Sequence, residues 1–255
     1  MHILEVVLPQ LNADIFMLNE VSPSFWNLAK NQDWVQESFF ISSYHFNNGP
    51  RNNMIISRFP LMNLRRETVG LRRSWIAKVE PKSGLPIWIV CAHLHAQYTG
   101  YLIRRAQLEA MYQYIAETCG TDPVLIMGDL NFHDERENVN ILPPFYDVWR
   151  SLNPVDSEDS TTWTEQQRGI TFDIPNNQMI SIMSAAFNER MRLDRALFKP
   201  STSDGASNSE TFVPFAMSVA AKDPISPLTP DLVPSDHYAL QLVFNISKPA
   251  NSIFS

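Results

Sequence analysis

The chain has 255 residues, 44% of them hydrophobic and 11% aromatic, enough to bury one large core without demanding a second domain. Its formal net charge of -7 excludes a protein that grips nucleic acid through a broad basic surface, but leaves room for a local basic groove or for carboxylates gathered around a cation. Two cysteines, Cys91 and Cys119, are too few for a disulfide framework or a zinc centre. No apolar run approaches the about 18 residues of a membrane span, and no basic start followed by an apolar stretch marks a signal peptide. The expectation is a soluble intracellular monomer, nuclear or cytoplasmic, with one domain over residues 1–248 and a loose tail over 249–255.

In chain order, Ile3, Val6, Val7 and Leu11 stand at near-helical spacing, and residues 14–18 then form an apolar run that ends at Asn19-Glu20. Ser22-Pro23-Ser24 opens a second short helix, because serine caps free amides and proline suits a first turn. Between residues 38 and 93 the pattern becomes strands, over 38–46, 53–57, 74–79 and 86–92, with a turn at Asn47-Asn48-Gly49-Pro50. Residues 101–117 carry Leu102, Ala106, Leu108, Met111 and Ile115 at helical spacing, with Arg104 and Arg105 expected at the surface. Residues 123–127 form a short buried strand stopped by Gly128, and further strands are expected over 192–198, 212–219 and 238–246, separated by loops over 199–210 and 224–234.

Polar residues collect at the ends of these strands: Glu20, His93, Asp129 with Asn131, Asp194, and Ser235-Asp236-His237. Strand ends form the rim of a sheet, where five such groups can converge on one cleft. Taken singly, each has an ordinary explanation. Glu20 fits a solvated turn, His93 and His95 fit hydrogen-bonded rim residues, Gly-Asp-x-Asn favours turns, and Asp194 fits an ion pair with Arg192 or Arg195.

As an ordered set, Leu18-Asn19-Glu20-Val21, Ala92-His93-Leu94, Met127-Gly128-Asp129-Leu130-Asn131, Leu193-Asp194-Arg195 and Ser235-Asp236-His237-Tyr238 resemble the endonuclease/exonuclease/phosphatase superfamily over almost the whole chain. The stretch Gly128 to Glu137, Tyr146-Asp147-Val148-Trp149, and Thr171-Phe172-Asp173 with Asn176-Asn177 are similar to the branch that cleaves 5′-tyrosyl-DNA, although that branch has tryptophan where Phe172 stands. The resemblance implies a DNase I-like α/β (α+β) sandwich of four layers, two packed, mixed and mostly antiparallel sheets with helices outside.

It also implies a metal-dependent phosphodiesterase. Glu20 would ligate Mg²⁺ or Mn²⁺, a hard cation that suits anionic oxygen. Asp129 would orient or deprotonate the attacking water, and Asn131 would donate to the phosphate or position that water. His237 would donate to a phosphate oxygen with Asp194 or Asp236 holding its ring, His93 would donate from the opposite side, and His95 is structural by comparison. Phe172 would pack on a substrate ring, and Arg72 and Arg73 would lean on phosphates, with a solvated charge pair as their alternative.

The substrate implied first is DNA with a 5′-blocked end. The alternatives are an abasic-site endonuclease, a deadenylase, a phospholipid or inositol phosphatase, or an impaired relative that binds nucleic acid or protein. The last alternative comes from a departure: relatives open on a strand whose asparagine joins the metal site, whereas Met1 lies in or just before the helix that follows that strand. An unpaired neighbouring strand and a looser ion are the expected consequences.

Overall fold

The computed structural model describes residues 2–43, 52–69, 72–82, 84–157, 160–177, 179–180, 189–202, 210–223 and 233–247. The turn expected at residues 47–50 and the tail from 249 lie outside them. The chain opens on a π-helical turn, Ile3–Val7, that runs into α1 (Leu8–Leu11) and stops at Asn12 in the left-handed region. Then come β1 (Ile15–Val21), α2 (Pro23–Lys30), α3 (Asp33–Ser38), β2 (Phe40–Ile41), β3 (Asn52–Ser57), β4 (Met62–Val69), β5 (Arg72–Lys82) and β6 (Leu85–His93). The second half comprises α4 (Tyr101–Cys119), β7 (Val124–Asp129), β8 (Tyr146–Asp147), α5 (Val148–Leu152), α6 (Glu165–Arg168), β9 (Phe172–Asp173), β10 (Arg190–Met191), β11 (Asp194–Lys199), β12 (Thr211–Ala220) and β13 (Ala239–Ser247).

Elements α3, β4, β8, α5, α6, β9 and β10 are not expected from the sequence. Helix α3 takes residue 38, so the strand expected over 38–46 is described only at Phe40–Ile41. Strand β4, with Arg65, Arg66 and Glu67 in its middle, escapes hydrophobic patterning because it is the edge of its sheet, where charged side chains are tolerated.

One sheet has six strands in the order β4-β5-β6-β7-β11-β8, antiparallel throughout except that β6 and β7 run parallel. A parallel pair needs a crossover, and α4 supplies it. The period-2 alternation of these strands fixes both faces. Trp88, Val90, Val124, Ile126 and Leu197 meet Leu108, Met111 and Ile115 of α4 on the outer face. Ile87, Ile89, Leu125, Ala196 and Phe198 meet Ile55, Phe212 and Met217 of the facing layer on the inner one. That facing layer consists of β1-β3-β2 and the hairpin β12-β13, and the helical turns carrying Leu4, Leu8 and Val35 cover the former through Phe16, Met54 and Ile56. The four layers match the expected sandwich.

The two pieces of the facing layer are separate sheets among the described residues, and β1 and β13 are edge strands. Between them lies a cleft of about 1580 Å³, bordered by Ile15 and Met17 on one side, Leu240 and Leu242 on the other, and floored by Ile89 and Leu125. Among the described residues β1 turns an edge toward this cleft. The cleft runs on to Glu20, His93, Asp129, Asp194 and His237.

Candidate active site

The same alternation that buries Ile89 and Cys91 inward carries His93 inward at the end of β6, and it does the same for Asp129 beyond Leu125 and Met127 and for Asp194 ahead of Ala196. Register sets the three side by side: His93 pairs with Asp129 across β6 and β7, and Asp129 pairs with Asp194 across β7 and β11. A row of one histidine and two aspartates thus crosses three neighbouring strands on the cleft face. His93 Nε2 stands 3.6 Å from Asp129 Oδ2. His237 closes the row from the other layer, its Nδ1 2.8 Å from Asp194 Oδ2, and Phe172 meets the imidazole edge-on with centroids 5.1 Å apart.

Gly128 makes the row possible. Its φ is +145°, and a Cβ there would stand 2.0 Å from the Ala92 carbonyl oxygen and 2.8 Å from Asn19 Oδ1. Only glycine allows β6 and β7 to close so tightly before Asp129 emerges. Asn19, assigned no role by sequence reasoning, ties the layers here. Its Oδ1 accepts from the Asp129 amide at 2.8 Å, and its Nδ2 donates to Ala92 O at 3.0 Å and to Asn53 Oδ1 at 2.9 Å.

Each expected site residue has a definite place. Glu20 is exposed at the cleft with a left-handed φ of 57°, a conformation that a non-glycine residue adopts only under constraint. Asn131, also left-handed at 53°, is buried, with its amide donating to Asp129 Oδ1 at 2.9 Å and its Nδ2 donating to Leu94 O at 3.2 Å. Of the two carboxylates considered for holding His237, Asp194 does so, while Asp236 is exposed and accepts from Ser235 Oγ. His95 binds through its backbone to Gln107, away from the row. Arg72 and Arg73 open β5, and their side chains lie outside the described residues.

Of the two helix arginines expected at the surface, Arg104 and Arg105, only the second is there. Arg104 is fully buried rather than at the surface: it forms two bonds to Glu137, at 2.7 and 2.8 Å, and holds the His95 and Gln97 carbonyls, so it anchors the loop that follows His93. Arg105 is exposed and pairs with Glu109. Arg192 and Arg195 do not pair with Asp194. Arg195 lies on the opposite face of β11, and both bind Asp147 and Glu135. Glu135 and Asp147 stand 57 and 45 residues before Arg192, which is why local sequence does not reveal the pairing.

The row carries unbalanced charge. Burial, with the Asp194 and Glu20 carboxylates, pushes Asp129 up to about 7 against the opposing pull of His237. Burial alone would lower the His237 pKa, but Asp194 outweighs it, with Asp129 and Asp236 behind, and raises it to about 10. Burial opposes ionisation of Asp194, and the His237 charge and hydrogen bond overcome that, holding Asp194 below the usual carboxylate range. Asp129, Asp194 and His237 also offer ligand atoms within 4.8 Å of one another, and Glu20 lies outside that tight group. The donor set fits a hard divalent cation, since carboxylates that repel each other gain most from one. A protonated His237 has no lone pair to give, so the carboxylates are then the direct donors.

The profile of the Endonuclease/Exonuclease/phosphatase family matches residues 2–237. The chain belongs to this family. Among solved structures, a humanized D. rerio TDP2 superposes with a TM-score of 0.72 at 20% identity, over 94% of this chain and 88% of that one. TDP2 of C. elegans gives 0.70 at 18% identity, over 93% and 67%. The human Nocturnin catalytic domain, solved with a bound sulfate anion, gives 0.61 at 18% identity, over 96% and 85%. At these identities the likeness concerns the fold: the DNase I-like sandwich of endonuclease/exonuclease/phosphatase proteins. No curated protein matches the sequence. Among the described residues, no helix is long and apolar enough to cross a membrane.

Proposed function

We propose that this family member is a divalent-metal-dependent phosphodiesterase that hydrolyses 5′-tyrosyl-DNA linkages in DNA repair, acting as a monomer in the nucleus or cytoplasm. The observation that carries the proposal is the lateral row His93–Asp129–Asp194, closed by His237, at the end of a long cleft. The choice of substrate draws support from D. rerio TDP2, which has been solved with a single-strand DNA product.

In this reading Asp129, Asp194 and Glu20 hold the Mg²⁺ or Mn²⁺, which when bound neutralises charge on the phosphate and acidifies water. Asp129 also orients the attacking water and takes its proton. Its carboxylate is aimed by the Asn131 amide on one oxygen. His237, charged and fixed by Asp194, donates to a phosphate oxygen as negative charge grows, and His93 offers Nε2 from the other end of the row. Phe172, beside His237, provides an aromatic face for the ring of a base or tyrosine. Arg72 and Arg73 contribute phosphate contacts from the start of β5.

The open edge of β1 beside Glu20 favours one second reading, an impaired relative that binds nucleic acid or protein through the same cleft. Release of tyrosine from a 5′-tyrosyl oligonucleotide in Mg²⁺, compared with Asp129→Asn and His237→Ala, separates the two. Activity that falls steeply in both variants, leaving a measurable residue in His237→Ala, supports the phosphodiesterase. A folded wild-type chain that binds the oligonucleotide without turnover supports the second reading, and turnover of abasic DNA, poly(A) or inositol phosphates in preference would move the substrate within the family.

A further inference from the structure

The segment that carries His237 is held from one turn. Asn177, 0% exposed, donates both N–H groups of its side-chain amide to consecutive carbonyls, Ser235 O at 2.9 Å and Asp236 O at 3.1 Å. Its Oδ1 accepts from the Met179 amide at 3.1 Å, and its own backbone N–H donates to Asp173 O at 2.8 Å. The buried Asp173 carboxylate is fixed in turn by Arg190 and Asn176, so the turn that presents Asn177 is tied to β9 and β10. Two further bonds run between the same segments, Tyr238 N to Thr171 O at 2.8 Å and Tyr238 Oη to Asn176 O at 3.2 Å.

We propose that Asn177 is a positioning residue for His237, setting the place of the imidazole through the carbonyls of the two residues before it. The proposal rests on the phosphodiesterase reading of the site. A carboxamide is the small neutral group that offers two N–H donors from one atom and an acceptor beside them. Aspartate offers acceptors only when ionised, and alanine offers nothing. Without Asn177 both carbonyls lose a buried donor, and the stretch before His237 keeps only the Tyr238 bonds, while Asp194 keeps its own anchor, Thr171 Oγ1 accepting from its amide at 3.1 Å. A displacement of about 1 Å in such a group is enough to cost on the order of 10²-fold in rate.

The test is a double-mutant cycle on 5′-tyrosyl oligonucleotide hydrolysis with wild type, Asn177→Ala, His237→Ala and the double variant. Asn177→Ala is expected to lower kcat by about 10–100-fold, as loss of outer-shell partners does, with KM and the Mg²⁺ requirement unchanged. In the His237→Ala background the same change is expected to have almost no effect, because the group it positions is gone. An equal fold-loss in both backgrounds, or no loss in either, overturns the proposal.

Asn177→Asp, of nearly the same volume, replaces Asn177→Ala if the latter does not fold. The ¹H–¹³C ring signal of His237, assigned by its disappearance in His237→Ala, gives a reading independent of turnover. It is expected to shift or broaden in the Asn177 variant, and an unchanged signal overturns the proposal. A wild-type chain without turnover would defeat the functional reading, while the ring signal would still decide the role of Asn177.

Discussion

Asp194 and Arg195 are neighbours on β11, yet they enter two clusters that treat charge in opposite ways. On the cleft face Asp194 joins Asp129, Glu20, His93 and His237, three carboxylates against two imidazoles, and burial together with the neighbouring carboxylates drives the Asp129 pKa up. On the other face Arg195 joins Arg192, Arg150, Glu135 and Asp147, where burial of the two carboxylates is overcome by the guanidinium groups, which hold both below the usual carboxylate range. In the second cluster each carboxylate is met by at least two guanidinium groups. The first leaves an excess that a cation and a phosphate ester can use, which is the arrangement expected where stability is given up for chemistry.

The largest expected effects come from exchanging one carboxylate for an amide on each face. Asp129→Asn should lower turnover by about 10²–10⁴-fold, the range for loss of a general base, without lowering the denaturation midpoint, because it removes repulsion from the row. Asp147→Asn should do the reverse. Breaking a buried ion pair from one side costs on the order of 3–5 kcal/mol, visible in urea melts, while the folded fraction turns over near the wild-type rate. If Asp129→Asn unfolds the chain, or Asp147→Asn abolishes activity in folded protein, the division between the two faces fails.

The cleft face was far more legible in the sequence than its opposite. An apolar run that ends in a polar residue marks a strand end, and period 2 then sets which way Asp129 and Asp194 point, so convergence could be expected without coordinates. Nothing local announces that Arg192 will seek Asp147 and Glu135, or that Arg104 will be buried by Glu137 33 residues away, because those pairings depend on how distant loops pack. Asn19 and Asn177 were hidden for another reason. Asparagine is common in turns, so only the carbonyls within its reach distinguish a clamp from a turn former. Strand β4 was concealed by its charges, and α3 by its shortness.

Acid and base should separate the two faces next. Glu135 and Asp147 have depressed folded pKa values, so their contribution is present above about pH 4, the unfolded value, and is lost as pH falls below it. Asp129 is raised to about 7, so the folded row binds the extra proton between about pH 4 and 7 and stability declines as pH rises through that window. His237 is raised to about 10, and the stability of its charged form, full below about pH 6.5, is lost as pH rises through 10. Urea midpoints measured from pH 3 to 10 should therefore rise out of acid and then fall. Asp147→Asn should weaken the acid limb, and Asp129→Asn should flatten the descent between pH 4 and 7. A wild-type curve that keeps rising from pH 5 to 8 would contradict the charge excess assigned to the row.

The smallest effect is the most selective. A ligand that binds only the folded chain stabilises it by about 2.7 kcal/mol at a hundred times its Kd, whatever the protein's intrinsic stability. Mg²⁺ at pH 8, where the row carries its full negative charge, should raise the melting temperature of the wild type. The gain should shrink at pH 5, where the Asp129 carboxyl is protonated and repels less. Asp129→Asn should lose most of the gain at either pH, and Asp147→Asn should keep it in full, because the charges around Asp147 are already matched by Arg192 and Arg195. Equal stabilisation of all three proteins by Mg²⁺ would indicate an effect of salt on the acidic surface, with no ion at the row.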